Sequence, residues 1–404
     1  MKRALRITGI VLGCVVIAAG TFALKVHLTG IPHYPRNGVP ELHVQATPEK
    51  VARGKWWASM LCADCHANPQ SGRLTGRDMR IDVPFGSIHS YNITNHPDRG
   101  IGAWSDGDIA YLLRTGVARD GRYTPPWMAK LPHMADDDLE AIIAFLRSDD
   151  PMVAPSDIPS IPARPSFFTK FLASVAFGPL PLPDKRIEPP SRGDKVALGR
   201  YLVWNLDCWT CHSPDFSKLN SLEPPKTPGF LAGGNTVEND VGEQLRTPNL
   251  TPDVETGLGG WTEEQFVRAL REGVRPDNTA VRAPMGTYSL LDVDEAKAIF
   301  AYLRTIPAAK NAVPRTPSRT VTPETAAGAR AFTTYACYSC HGNEGNGTCN
   351  LTRNREHWPD DADLTAFIRD PASKLAGSRM PAWRTIIPDD ELRQLVAHVR
   401  SLSR

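Results

Sequence analysis

The chain has 404 residues, enough for two to four domains, with 41% hydrophobic residues, 36 prolines and a formal charge of +2. Three cations, Lys2, Arg3 and Arg6, precede an apolar N-terminal run, which leaves about −1 on the remainder. That balance argues against nucleic acid as a partner and predicts docking through local patches rather than long-range steering.

Ile7 to Leu24 is almost wholly apolar. Such a run is near the lower limit for a spanning helix and longer than most signal-peptide cores. The basic flank keeps the N-terminus in the cytoplasm and sends the bulk of the chain outside. Ala18-Ala19-Gly20 offers small residues at a cleavage-like spacing. Residues 1–30 are therefore expected to be a retained membrane anchor or, alternatively, a cleaved signal. In a bacterial cell the first option leaves the chain on the periplasmic side of the cytoplasmic membrane, and the second releases it to the periplasm.

The motif C-x-x-C-H occurs three times, at Cys62/Cys65/His66, Cys208/Cys211/His212 and Cys337/Cys340/His341. Two thiols at this spacing can bond a porphyrin edge while the adjacent imidazole ligates the iron, so three covalently bound haem c groups are expected. A structural zinc site would need a second Cys or His pair close by to complete a tetrahedron, and the sequence offers none. Cys14 and Cys349 are left over, so no disulfide framework is implied. With no evident partner in an oxidising compartment, Cys349 is expected to be buried and inert or, alternatively, to form an intermolecular bridge.

Aligning the three segments exposes an internal repeat. Each opens with a helix-compatible stretch carrying Gly and an aromatic: Gly54 with Trp57, Gly199 with Tyr201, Gly328 with Phe332. After the haem motif comes Asn-aliphatic-Thr, at Asn92-Ile93-Thr94, Asn249-Leu250-Thr251 and Asn350-Leu351-Thr352. Trp104 and Trp261 follow twelve residues beyond the first two Asn, leading into helix starts at Ser105-x-x-Asp108 and Thr262-x-x-Gln265. In the third unit Trp358 comes sooner, with Pro359 and Asp360 opening the helix. Every unit closes on a helix with one apolar stripe: Leu139, Ile142, Ile143, Leu146; Ala296, Ile299, Phe300, Leu303; Leu392, Leu395, Val396, Val399. The expected fold is all-α, three tandem haem domains after the N-terminal helix.

A Met in a Pro-containing loop precedes each closing helix: Met128 after Pro125-Pro126-Trp127, Met285 after Ala283-Pro284, and Met380 before Pro381. These are the expected sixth ligands, since His/Met ligation saturates the iron and raises its potential. Met134 is expected to be a core contact. His89, His96 and His133 are alternatives in the first unit, with solvated surface positions as their default. The Asn and Trp residues of the repeat could donate to haem propionates, or could serve turns and core packing.

At this point the chain resembles the class I c-type cytochromes. More narrowly, it is similar to the triheme cytochrome subunits of membrane-bound, periplasmic alcohol, aldehyde and gluconate dehydrogenases. The residues that carry this are Asn92-Ile93-Thr94 through Gly100-Ile101-Gly102-Ala103-Trp104-Ser105, and Asn249-Leu250-Thr251-Pro252-Asp253 through Gly257-Leu258-Gly259-Gly260-Trp261-Thr262. The bridge from Phe167 to Asp184 leading into Gly199-Arg200-Tyr201-Leu202-Val203 also looks like that family. The likeness runs from about residue 45 to the end, and the third unit departs most, with a short loop between His341 and Met380. The resemblance implies an electron-transfer subunit, not an enzyme on its own. It would take electrons from an exported dehydrogenase subunit and pass them to membrane quinone or a terminal oxidase. The alternative is a peroxidase-like haem enzyme with one open axial position.

The expected boundaries are an anchor or signal at 1–30, haem domains at 45–147, 193–306 and 321–404, and linkers at 148–192 and 307–320. The first linker is rich in proline and reads as a semi-rigid spacer. Inside it, Phe167, Phe168, Phe171, Leu172, Val175 and Phe177 form an apolar stretch, expected to be buried between domains or, alternatively, set against a membrane surface or a partner.

Overall fold

Caps written into the sequence set most of the helix boundaries. The computed structural model describes residues 2–69, 71–79, 84–124, 128–239, 241–316, 319, 321–322 and 325–403. Pro125, Pro126, Trp127 and Pro317 lie outside them. Helix α1 (Lys2–Thr29) contains the apolar run. Thr47 caps α2 (Pro48–Leu61), with proline at the first helical position where its missing N–H costs nothing. Ser105 and Asp108 form a reciprocal capping box on α3 (Asp106–Thr115), and Gly116 ends it at φ 79°, a left-handed conformation that favours glycine. Next come α4 (Asp136–Leu146) and α5 (Phe167–Val175). Then follow α6 (Lys195–Asn205), α7 (Glu263–Glu272) with its Thr262/Gln265 capping box, and α8 (Val293–Leu303). The chain closes with α9 (Ala327–Thr334), α10 (Asp361–Arg369) and α11 (Asp389–Ser401).

Two compact units divide these elements. One is Met1–Pro132 with Asp136–Ile187, and the other is His133–Ala135 with Glu188–Arg404. In the first, α2 crosses α4; in the second, α6 crosses α8 and α9 crosses α11. All three crossings are built alike. A Cβ at Gly54 would overlap the carbonyl oxygen of Ala141 and come within 2.8 Å of the Phe145 Cβ. At Gly199 the same atom would overlap the Ala298 carbonyl and reach Tyr302 Cβ at 2.8 Å, and at Gly328 the Gln394 carbonyl and His398 Cβ at 2.7 Å. Glycine is therefore what lets each opening helix touch the backbone of its closing helix. The apolar stripes of α4, α8 and α11 face inward, as their periodicity requires. Trp57 and Phe332 are buried beside their glycines, whereas in α6 Leu202 rather than Tyr201 fills the core.

Two features depart from the sequence expectation. The chain is helix-rich rather than purely helical. Gly86–Ser87 (β1) pairs antiparallel with Arg164–Pro165 (β2), and Thr236–Glu238 (β3) pairs with Gln244–Arg246 (β4). Residues 148–187 also belong to the first compact unit, contain α5, and are bonded to the body of that unit. Leu74 donates to the Met152 carbonyl at 2.8 Å, Asn95 to Val153 at 2.9 Å, and the Arg73 guanidinium to Ala154 at 2.6 Å. Proline blocks ladders and helices, but its neighbours keep carbonyls that accept such bonds.

Replacing Gly199 by Ala should destabilise the second compact unit by about 1–3 kcal/mol or more, because the helix pair must separate to admit a methyl group. Denaturant unfolding of the full chain checks this. Gly20→Ala in α1, where nothing lies within 4 Å, should leave the midpoint unchanged.

Candidate functional site

Each C-x-x-C-H segment forms a short helical turn directly behind the opening helix of its pair: Ala63–His66, Cys208–His212 and Tyr338–His341. In the second and third copies the reversal is made by a residue with left-handed backbone, Asp207 (φ 59°) and Ala336 (φ 55°). The His side chains are then oriented by one repeated bond. The Nδ1 of His66 lies 2.7 Å from the Tyr91 carbonyl, that of His212 2.9 Å from Pro248, and that of His341 2.6 Å from Cys349. A carbonyl only accepts, so Nδ1 carries a proton, and in the neutral ring the lone pair is then on Nε2. Burial lowers the pKa of His66 and His212, which favours the neutral, ligating form.

Those three carbonyls belong to the residues immediately before Asn92, Asn249 and Asn350. The Asn side chains make the turn that holds them. Asn92 Oδ1 accepts from Thr94 N and Oγ1 at 3.0 and 2.7 Å, Asn249 Oδ1 from Thr251 at 2.9 and 2.8 Å, and Asn350 Oδ1 from Thr352 at 2.7 and 2.6 Å. The Asn92 amide donates to the carbonyls of Ser156 and Ile158, and that of Asn249 to Ala309 and the Thr256 hydroxyl. In these two copies the Asn is committed to the turn, and the propionate-donor alternative is set aside.

Sequence reading missed a second brace. The His carbonyls accept N–H from Gly76, Gly233 and Gly347 at 2.8, 2.7 and 2.7 Å. Gly76 and Gly233 have positive φ and backbone packed against them on the side where a Cβ would stand. The available signal was Leu74-x-Gly76 and Leu231-x-Gly233, each glycine sixteen residues before its Asn.

Met128, Met285 and Met380 are each half-buried, and Met380 packs on the core containing Phe332, Trp383 and Leu395. Their loops are anchored alike. The third residue after each Met donates its backbone N–H to the end of the preceding helix: Leu131 to Leu113 at 2.7 Å, Tyr288 to Leu270 at 2.8 Å, Trp383 to Ile368 at 3.4 Å. The arginine next to each acceptor reaches back to the loop. Arg114 donates to the Leu131 carbonyl at 2.6 Å, Arg271 to Leu291 at 2.7 Å, and Arg369 to Ile387 at 2.6 Å. These arginines were not singled out from the sequence, although Leu-Arg or Ile-Arg recurs at all three helix ends.

Within the second compact unit the Met285 and Met380 loops pack on each other. The hydroxyls of Thr287 and Ser289 donate to the Ser378 carbonyl at 2.7 and 2.9 Å, and Ala382 N donates to Glu272 at 2.8 Å. Gly286 leaves room for the Arg379 guanidinium.

Other residues fall into place around these groups. Met134 is fully buried, as expected of a core contact. His96 Nδ1 accepts the backbone N–H groups of Asp98 and Arg99, and His133 Nε2 bonds the Ser221 carbonyl. His89 is not solvated. Its Nδ1 is buried without a hydrogen-bond partner among the described residues, as are Thr75 Oγ1 and Arg77 Nε. Orphaned donors of this kind fit a carboxylate-bearing group seated against them. Cys349 is exposed, contrary to the expectation that it is buried. Its backbone is fixed by the bond to His341, and this leaves the thiol on the outside. Burial raises the thiols of Cys62, Cys208 and Cys337 to about 12. Protonated thiols beside a neutral imidazole suit attachment to an apolar macrocycle, because a thioether has no charge to bury.

Residues 323–399 match the family model for cytochrome c oxidase, cbb3-type, subunit III. A diheme cytochrome c-type protein of Cereibacter sphaeroides is 30% identical over 291 residues, 68% of this chain and 91% of that protein. The cytochrome c subunit of the quinone-dependent alcohol dehydrogenase of Gluconobacter oxydans is 29% identical over 392 residues, 89% of this chain and 80% of the relative. The fructose dehydrogenase cytochrome subunit of Gluconobacter japonicus is 28% identical over 366 residues, 82% of this chain and 71% of the relative.

Replacing Arg271 by Ala should cost about 1–3 kcal/mol, because it removes the side-chain donor to the Leu291 carbonyl. Unfolding midpoints check it against Arg268→Ala, whose exposed bond to Asn278 is worth far less.

Proposed function

The chain belongs to the cytochrome c family, and on that footing we propose that it is a triheme electron-transfer subunit held at the periplasmic face of the bacterial cytoplasmic membrane. The observation that carries this reading is the three-fold recurrence of an imidazole directly behind a C-x-x-C pair, its Nδ1 fixed on a backbone carbonyl. It is paired each time with a half-buried Met in an anchored loop.

When bound, haem c supplies a one-electron iron couple and nothing else is asked of it here. The chain's part is to hold and tune that couple. The thiols of Cys62 and Cys65, Cys208 and Cys211, and Cys337 and Cys340 would attach the three groups. His66, His212 and His341 would each supply an imidazole ligand. Met128, Met285 and Met380 would supply the thioether ligands, which would raise the potential and keep small molecules from the metal. The proposed haem domains, 45–147, 193–306 and 321–404, each contain one of the helix crossings. The Met285 and Met380 loops, packed on each other, would bring the second and third sites side by side.

Two of the relatives named above are cytochrome subunits of an alcohol and a fructose dehydrogenase, which supports an exported dehydrogenase as electron donor. Membrane quinone or a terminal oxidase is the acceptor in this reading. Helix α1 holds a candidate span, Leu5–Thr29, whose most apolar 18-residue window has mean hydropathy 2.3, which suits a retained anchor.

Pyridine haemochrome analysis of the purified chain should give three covalent haems, and the reduced spectrum should be nearly indifferent to carbon monoxide. Met285→Ala should lower the potential of one haem and open that haem alone to carbon monoxide. Fewer than three attached haems would overturn the triheme reading. Prompt stoichiometric carbon monoxide binding by the unaltered chain would favour a haem enzyme.

A further inference from the structure

Helix α5 is amphipathic in an unusual sense, because its outward face is the apolar one. Thr169 and Ala173 are buried, while Phe167 (45%), Phe168 (41%), Phe171 (36%) and Val175 (52%) stand exposed along one stripe. A soluble surface helix reverses that order. The inner side is fastened to the body of the first compact unit. Ser166 N donates to the Phe85 carbonyl at 2.9 Å, the Ser166 hydroxyl to Pro84 at 2.6 Å, and the Thr169 hydroxyl to Phe85 at 2.7 Å. The exposed stripe is thus held outward by a rigid seat.

What covers it is indicated by α1. The two helices are in contact, with the Phe22 and Phe171 rings edge to face at 6.2 Å between centroids. Apolar residues of α1 such as Ile10, Leu12, Val16 and Ile17 are more than half exposed. Its 25-residue apolar span, Leu5–Thr29, extends about 37 Å, somewhat more than a hydrocarbon core of about 30 Å. Phe22 stands two residues before Leu24, where the apolar run ends, about 3 Å back from that end, and Lys25 and His27 follow it. That depth matches the outer boundary between acyl chains and headgroups, where aromatic side chains gather. The phenylalanine stripe of α5 continues the lipid-facing surface of α1 at that level.

We propose that α5 is an interfacial membrane helix. Phe167, Phe168, Phe171 and Val175 enter the outer leaflet beside α1, so that the first compact unit rests on the bilayer instead of swinging from a tether. Its inner side is joined to the haem motif. From Phe85 the chain passes through β1 (Gly86–Ser87) and on to Tyr91, whose carbonyl orients His66. The first C-x-x-C-H site is therefore seated at the membrane surface. The inference rests on α1 remaining in the mature chain as the anchor.

The test uses the full-length, haem-loaded chain in phosphatidylcholine–phosphatidylglycerol vesicles, with Cys14 and Cys349 changed to Ser. A nitroxide is placed at Phe168→Cys, Phe171→Cys or Val175→Cys, with Asp98→Cys on the same unit as the water-facing reference. With the haems reduced, the ratio of oxygen to nickel-chelate accessibility should be several-fold higher at all three α5 positions than at Asp98. Water-like ratios on α5 in a chain that still floats with the vesicles would overturn the proposal while leaving the anchor intact. Protection of α5 from nickel only after a dehydrogenase is added would assign the stripe to a protein partner, again against it. Failure of the unlabelled chain to float would instead remove the anchor reading beneath it. Val175, already the most exposed of the four, keeps the test open if a phenylalanine variant misfolds.

Discussion

The hydrogen bond from each His Nδ1 to a backbone carbonyl governs the arrangement of all three sites. An imidazole can offer its lone pair from either nitrogen, and in water it is often protonated. Fixing the proton on Nδ1 selects the tautomer, aims Nε2 and stops the ring from turning. The carbonyl must itself be held still, and the Asn-x-Thr turn does that with two short side-chain bonds per copy. The glycine N–H on the His carbonyl braces the ligand from its own backbone. The chemistry-bearing ring is thus fixed by backbone groups at both ends, so the side chains around it are freer to vary than the chain path.

The methionine loops are built by another logic. A Met side chain is flexible, so its position depends on where its loop is tied. Each loop is tied to the end of the preceding helix by one backbone bond and one arginine. That arginine lies in the last turn of its helix, where a cation is also favoured by the helix dipole. In the second compact unit the same loops serve as the packing surface between two repeats. Stiffness at the Met and contact between neighbouring repeats come from one set of residues.

Much of this was legible in the chain, and the illegible part has a physical pattern. Periodicity and caps gave α3, α4, α7, α8 and α11, because a helix depends on residues within four positions of one another. The haem motif was plain for the same reason. Asn-x-Thr was visible as a recurring string, but its task was not. The bond that matters joins its preceding carbonyl to an imidazole as many as 36 residues earlier, Pro248 to His212, and carbonyls leave no mark in a sequence. The arginine clamps were hidden for that reason too. Tyr201 drew notice as an aromatic near Gly199, yet Leu202 holds the core because the helix face is set by the glycine crossing. The α5 segment was overshadowed by the prolines around it. Its nine residues from Phe167 to Val175 contain no proline, and Ser166 caps them.

The cysteines of the motif carry a chemical constraint of their own. A thiol reacts as the thiolate, and desolvation moves Cys62, Cys208 and Cys337 away from that form, up to about 12. A thioether in their place would have no charge to form, so the desolvation that disfavours the thiolate would not disfavour the product. The same surroundings lower the pKa of His66 and His212, so one packing arrangement acts on both kinds of side chain in the motif.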